Sequence, residues 1–103
     1  MLSFLQRLFG GARVGLSEWV ARGATIVDVR TPGEYRSGHL KNSVNIPLDG
    51  LASNLGRLDK TKPVITCCAS GMRSASAKRV LQAHGFAEVH NGGSWASLRR
   101  LAE

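Results

Sequence analysis

Cys67 and Cys68, followed by Ala69, Ser70, Gly71, Met72 and Arg73, place a thiol and a guanidinium at the two ends of a short loop of small residues. The loop joins an apolar, β-branched run, Val64-Ile65-Thr66-Cys67, to a segment with helical spacing. From Ser74 onward Ala75, Val80, Leu81 and the stems of Lys78 and Arg79 recur at that spacing, and Gly85 after His84 suits a C-terminal cap. A strand that turns into a helix aims several backbone N–H groups, with the positive end of the helix dipole behind them, at one point. A thiolate held there falls below the ~8.5 of a free cysteine and becomes a nucleophile at neutral pH. Cys68 is the sulfur so placed. Gly71 lets the backbone curl around it, and Arg73 offers a fixed charge to an anionic substrate.

The segment from Cys68 to Ser74 resembles the active-site loop of the rhodanese family of sulfurtransferases, in which a cysteine at a strand end carries sulfur as a persulfide. Three further stretches agree in order. Ile26-Val-Asp-Val-Arg30 resembles the family's first core strand, and Glu34 to Leu40 followed by Asn42 to Pro47 resembles its Gly-His and Asn-Ile-Pro segment. Asn91-Gly-Gly-Ser-Trp95 resembles the Gly-Gly and aromatic turn before the last helix, so the likeness runs from Val14 to Leu101.

The resemblance implies Cys68 as the persulfide carrier, with Ala69, Ser70, Gly71, Met72, Arg73 and Ser74 holding the substrate. Asp28 is expected to orient the loop and Arg30 to neutralise charge near the sulfur. The partners are a small anionic sulfur donor such as thiosulfate and an acceptor such as cyanide, a thiol or a protein cysteine. Neither a cofactor nor a metal is called for. A sulfur carrier or interaction module that works when docked to a partner is a second reading. A third counts from Cys67: Cys67-x5-Arg73 fits the pattern of cysteine phosphatases and arsenate reductases, whose wider loop wraps a tetrahedral anion. Thr66 stands where those enzymes place a histidine. Cys67 itself reads either as a core residue facing away from the loop or as a resolving thiol.

The elements that must position this loop alternate between strand and helix, which points to an α/β fold. The expectation is a small parallel sheet of four to five strands with helices on both faces. Leu16–Ala21 reads as a helix capped by Ser17, Thr25–Val29 as a buried strand, and Pro32–Tyr35 as a short helix closed by Gly38. Val44–Ile46 is a strand stopped by Pro47. Leu48, Leu51, Leu55 and Leu58 recur as the stripe of one helix, Phe86–His90 forms the last strand, and Ser94–Leu101 the last helix. In such a sheet, ligands bind beyond the carboxyl ends of the strands, where Cys68 lies. His39 reads as structural, His84 and His90 have no metal-ligand spacing, and Trp95 fits either the pocket rim or the core.

Residues 1–11 read as an amphipathic extension and 12–103 as the rhodanese-like domain. Leu2, Leu5, Leu8 and Phe9 share a face, which suits packing on the domain, targeting or contact with a membrane surface. Fourteen Lys and Arg against seven Asp and Glu give a net charge of +7, which draws small anions. The basic residues are dispersed and not interleaved with aromatics, which argues against a nucleic-acid platform. Adjacent cysteines cannot staple the fold, so a reducing, cytoplasmic setting is the simpler expectation.

Overall fold

The computed structural model describes residues 11–102, so the expected extension lies outside the described residues except for Gly11. Gly11 already belongs to helix α1 (Gly11–Ala21), which starts earlier than the Ser17 cap would have it. Strand β1 (Thr25–Asp28) leads to α2 (Pro32–Ser37) and to the short β2 (Val44–Asn45). Strand β3 (Val64–Cys68) runs into α3 (Met72–Ala83), and β4 (Val89–Ser94) into α4 (Trp95–Ala102). The sheet has four strands in the order β2-β1-β3-β4, and every neighbouring pair is parallel.

Alternation along the strands divides the core. Val27, Val64 and Cys68 face one side, where Ala77 and Leu81 of α3 cover them together with Leu51 and Phe86. Ile26, Ile65 and Cys67 face the other, against Leu16 of α1 and Leu98 of α4. The two adjacent cysteines therefore sit on opposite faces of the sheet.

Two expectations are corrected. The leucine stripe does not form a helix: it is spread over two 3-10 turns, Leu48–Gly50 and Leu55–Arg57. Gly50 and Gly56 each weaken an α-helix at those positions, and short turns suffice to bury Leu51 while Leu48, Leu55 and Leu58 pack partly against the core. The last strand also lies later than Phe86–His90. Phe86 is a core residue that follows Gly85 (φ 91°), and the strand begins at Val89.

That strand contains the Gly-Gly pair. Thr66 pairs with Asn91 and Cys68 with Ser94, so β4 uses one residue more than β3 over the same span. The result is a bulge at Gly92-Gly93, of the kind that bends a strand and re-aims a side chain. Gly92 also leaves no room for a side chain. A Cβ there would lie 2.8 Å from Ile65 Cγ2, 2.9 Å from the Thr66 carbonyl oxygen and 3.1 Å from Leu98 Cδ2. Gly92→Ala is expected to cost about 1–3 kcal/mol of stability by overpacking. A thermal unfolding scan should register this as a loss of roughly 4–8 °C per kcal/mol; an unchanged midpoint would mean that the bulge relaxes freely.

Candidate active site

Cys68 closes β3, and α3 begins at Met72 behind the cap residue Gly71, whose φ of 110° is left-handed. This conformation folds the loop back on the sulfur. The Gly71 N–H donates to Cys68 Sγ at 2.9 Å and the Ser74 N–H at 3.4 Å. The Ser74 hydroxyl lies 3.5 Å from the same sulfur. A side chain at Gly71 would be strained by its φ, and its Cβ would stand 3.5 Å from Gly93 Cα.

Burial pushes the Cys68 thiol up. Hydrogen bonds from the Ser74 hydroxyl and N–H, and from the Gly71 and Ser70 N–H groups, outweigh it and bring the thiol below its ordinary value. The cup thus favours the thiolate. In the thiol form the S–H donates to Ser74 Oγ, whose own proton goes to Asn91 Oδ1, and ionisation draws that proton toward the sulfur. An ultraviolet titration of the thiolate should therefore show Cys68→Ser without the transition, and Ser74→Ala with the transition moved to higher pH. At neutral pH the Ser74→Ala thiolate population should fall by up to about ten-fold. An unmoved transition would remove Ser74 from the account.

Asn91, which the sequence reading did not single out as a site residue, braces this cup. Its Oδ1 accepts from Ser74 Oγ at 2.6 Å and from the Gly93 N–H at 2.9 Å, and its Nδ2 donates to the Gly71 carbonyl at 3.3 Å. The bulge places it there.

Cys67 is fully buried on the other face, where burial pushes its thiol up to about 12. The loop N–H groups converge on Cys68, not on Cys67, so the wider oxyanion loop counted from Cys67 does not form. Asp28 and Arg30 lie on the Cys67 face as well. Asp28 is fully buried, and its carboxylate accepts from Arg30 Nε at 3.0 Å and Nη2 at 2.8 Å. Arg30 also donates to the Gly38 carbonyl at 2.7 Å and the Glu34 carbonyl at 3.3 Å, and stands 4.9 Å over the half-buried Trp95 ring. These bonds run to each other and to α2, and none of them reaches the loop or the sulfur.

Arg73 is held from a distance in sequence. Its Nη1 and Nη2 donate to the two carboxylate oxygens of Glu34 at 2.7 and 3.0 Å. Glu34 in turn completes a capping box with Thr31 at the start of α2, donating its N–H to Thr31 Oγ1 and accepting from the Thr31 N–H. Arg73, with help from Thr31, holds the Glu34 carboxyl at about 2. Thr31-x-x-Glu34 with Pro32 between them is a legible capping signal, but its link to Arg73 is not. The remaining loop residues Ala69, Ser70 and Met72 are exposed, Met72 by 80%. His39 binds the Tyr35 carbonyl and stacks on its ring, and His84 binds the Val80 carbonyl, so both serve local structure. Among the described residues no cluster of potential metal ligands occurs, and no helix is long and apolar enough to cross a membrane.

The chain is similar to known proteins in sequence and in fold. A sequence model of the family described as Rhodanese-like domain matches residues 14–97. The chain is 36% identical over 70 residues to the uncharacterized protein YqhL of Bacillus subtilis, a match covering 68% of the chain and 56% of YqhL. It is 34% identical to the thiosulfate sulfurtransferase GlpE of Pseudomonas syringae, over 68% of the chain and 66% of that protein. The chain thus spans just over half to about two thirds of these relatives. Among solved structures, a rhodanese with anions from Escherichia coli superposes with a TM-score of 0.69 at 30% identity, covering 73% of the chain and 91% of the other.

Proposed function

The chain belongs to the rhodanese-like domain family, and from that premise we propose that it is a sulfurtransferase whose Cys68 carries the transferred sulfur as a persulfide. The observation that carries the reading is the convergence of the Gly71 and Ser74 N–H groups and the Ser74 hydroxyl on Cys68 Sγ. The name of the Pseudomonas syringae relative, thiosulfate sulfurtransferase, supports thiosulfate as a donor.

The Cys68 thiolate attacks the outer sulfur of thiosulfate, the S–S bond of the donor breaks, and sulfite leaves with its electron pair. The persulfide takes the place of the thiolate in the loop, and its terminal negative charge is stabilised by the backbone N–H groups from Ala69 to Arg73. An acceptor thiolate or cyanide then attacks the outer sulfur, and Cys68 departs as a thiolate ready for the next cycle. Cys68 is enclosed, whereas Ala69, Ser70 and Met72 above it are exposed, so this loop admits the reagents.

Because donor and acceptor react in turn with one thiol, initial-rate plots with both varied should give parallel lines. Intersecting lines would point to a ternary complex and overturn the two-step scheme.

A further inference from the structure

The Ser74 hydroxyl carries one proton, and three acceptors stand around it: Asn91 Oδ1 at 2.6 Å, the Gly71 carbonyl at 3.0 Å and Cys68 Sγ at 3.5 Å. Asn91 offers no proton in return. Its Oδ1 also accepts from the Gly93 N–H at 2.9 Å while its Nδ2 donates to the Gly71 carbonyl at 3.3 Å, which fixes the amide with its oxygen toward Ser74. The Gly71 carbonyl is already supplied by that Nδ2 and by the Ala75 N–H at 3.1 Å. The Ser74 proton therefore goes to Asn91, and the hydroxyl is left to accept from Cys68. That arrangement suits a sulfur without charge; a thiolate must draw the proton away from Asn91. The ionisable groups whose fields couple to Cys68 are Arg73, paired with Glu34, and Cys67 across the sheet. Asp28, Arg30 and His90, from β1, the loop after it and β4, lie on the Cys67 face as well.

We propose that Asn91 is a positioning residue of the transfer cycle, which competes with Cys68 for the Ser74 hydrogen bond, holding it while Sγ is neutral and yielding it when Sγ is charged. The inference rests on the persulfide chemistry proposed for Cys68. When the thiolate attacks the outer sulfur of the donor, Sγ gains a bond and loses its charge, and the Ser74 hydroxyl turns back to Asn91. When an acceptor takes that outer sulfur, the S–S bond breaks, its electron pair returns to Sγ, and the hydroxyl turns to the new thiolate. The proton stays on Ser74 Oγ throughout; only its acceptor changes. Asn91 thus keeps the thiolate from being held too well, and a thiolate of higher basicity is the stronger nucleophile. It acts through Ser74 and not on the sulfur itself.

Ultraviolet titration of the Cys68 thiolate tests this separately from sulfur transfer, with the Cys67 thiol out of the way at about 12. Asn91→Ala frees the Ser74 hydroxyl for the sulfur and should move the transition to lower pH by about half a unit to one unit, opposite in direction to Ser74→Ala. In the Ser74→Ala background the same substitution should move the transition by no more than about 0.2 unit, because the competition has lost its object. Asn91→Asp keeps an acceptor for Ser74 and for the Gly93 N–H while adding a negative charge, and should move the transition to higher pH. An upward shift or none in Asn91→Ala, or a downward shift that persists in the Ser74→Ala background, would reduce Asn91 to a brace of the loop and overturn the inference with the persulfide mechanism intact. If Asn91→Ala does not fold, an unmoved or lowered transition in Asn91→Asp overturns it equally. Failure of the wild type to gain sulfur from thiosulfate, followed by intact mass, would overturn the mechanism and with it the place of this exchange in the cycle.

Discussion

Replacing Cys68 by serine should reduce sulfur transfer from thiosulfate to cyanide by about a thousand-fold or more, while Cys67→Ala should keep turnover within a few-fold of wild type. The asymmetry follows from the pleat of one strand. Cys68 faces the loop, where backbone N–H groups stabilise its thiolate; its neighbour faces the Leu16, Ile65 and Leu98 cluster with its thiol held at about 12. A serine hydroxyl at position 68 would keep the hydrogen bonds but is a far weaker nucleophile at neutral pH, and an alkoxide has no route to a persulfide. Cys67→Ala removes only a buried sulfur, whose loss is felt as a small cavity. The steady-state rates of the two variants check this directly. Retained turnover in Cys68→Ser, or its loss in Cys67→Ala with the fold intact, would move the chemistry to the other thiol.

Asp28→Asn is expected to give the largest loss of stability, about 3–5 kcal/mol. The side chains of Asp28 and Arg30 are 0% and 5% exposed, and the pair is closed by a contact of 2.8 Å. Removing the carboxylate charge leaves a guanidinium enclosed under Trp95 with only carbonyl oxygens to meet it, and an uncompensated buried charge is costly. Because Arg30 bonds the carbonyls of Glu34 and Gly38, the loss should spread to α2 and loosen the Glu34 carboxylate from Arg73. Urea unfolding of Asp28→Asn, compared with Asp28→Leu combined with Arg30→Met, separates the terms. The double variant should recover most of the stability; if the single variant unfolds at the wild-type midpoint, the pair does not carry the strut.

The reach of the sequence is clear at β3 and α3. Val64 to Cys68 is β-branched and apolar because it is buried on both faces, and Gly71 marks the left-handed cap, so strand, loop and nucleophile could be read in order. The leucines at 48, 51, 55 and 58 misled because their spacing fits a helix that Gly50 and Gly56 do not support. By the family resemblance Gly92-Gly93 is a turn, yet it is a bulge inside β4, a distinction that depends on the pairing partner. The same holds for the charges. Nothing local joins Glu34 to Arg73, which are 39 positions apart, or tells that Arg30 and Asp28 turn toward each other rather than toward the loop. Asn91 stood within a recognisable stretch, but only the bulge aims its carboxamide at Ser74.

The most direct test of the central claim is the intact mass of the wild-type protein after incubation with thiosulfate, followed by peptide mapping and then by treatment with cyanide. The account predicts a gain of one sulfur, located on Cys68 and removed by cyanide. An unchanged mass, or a sulfur mapped to Cys67, would contradict it.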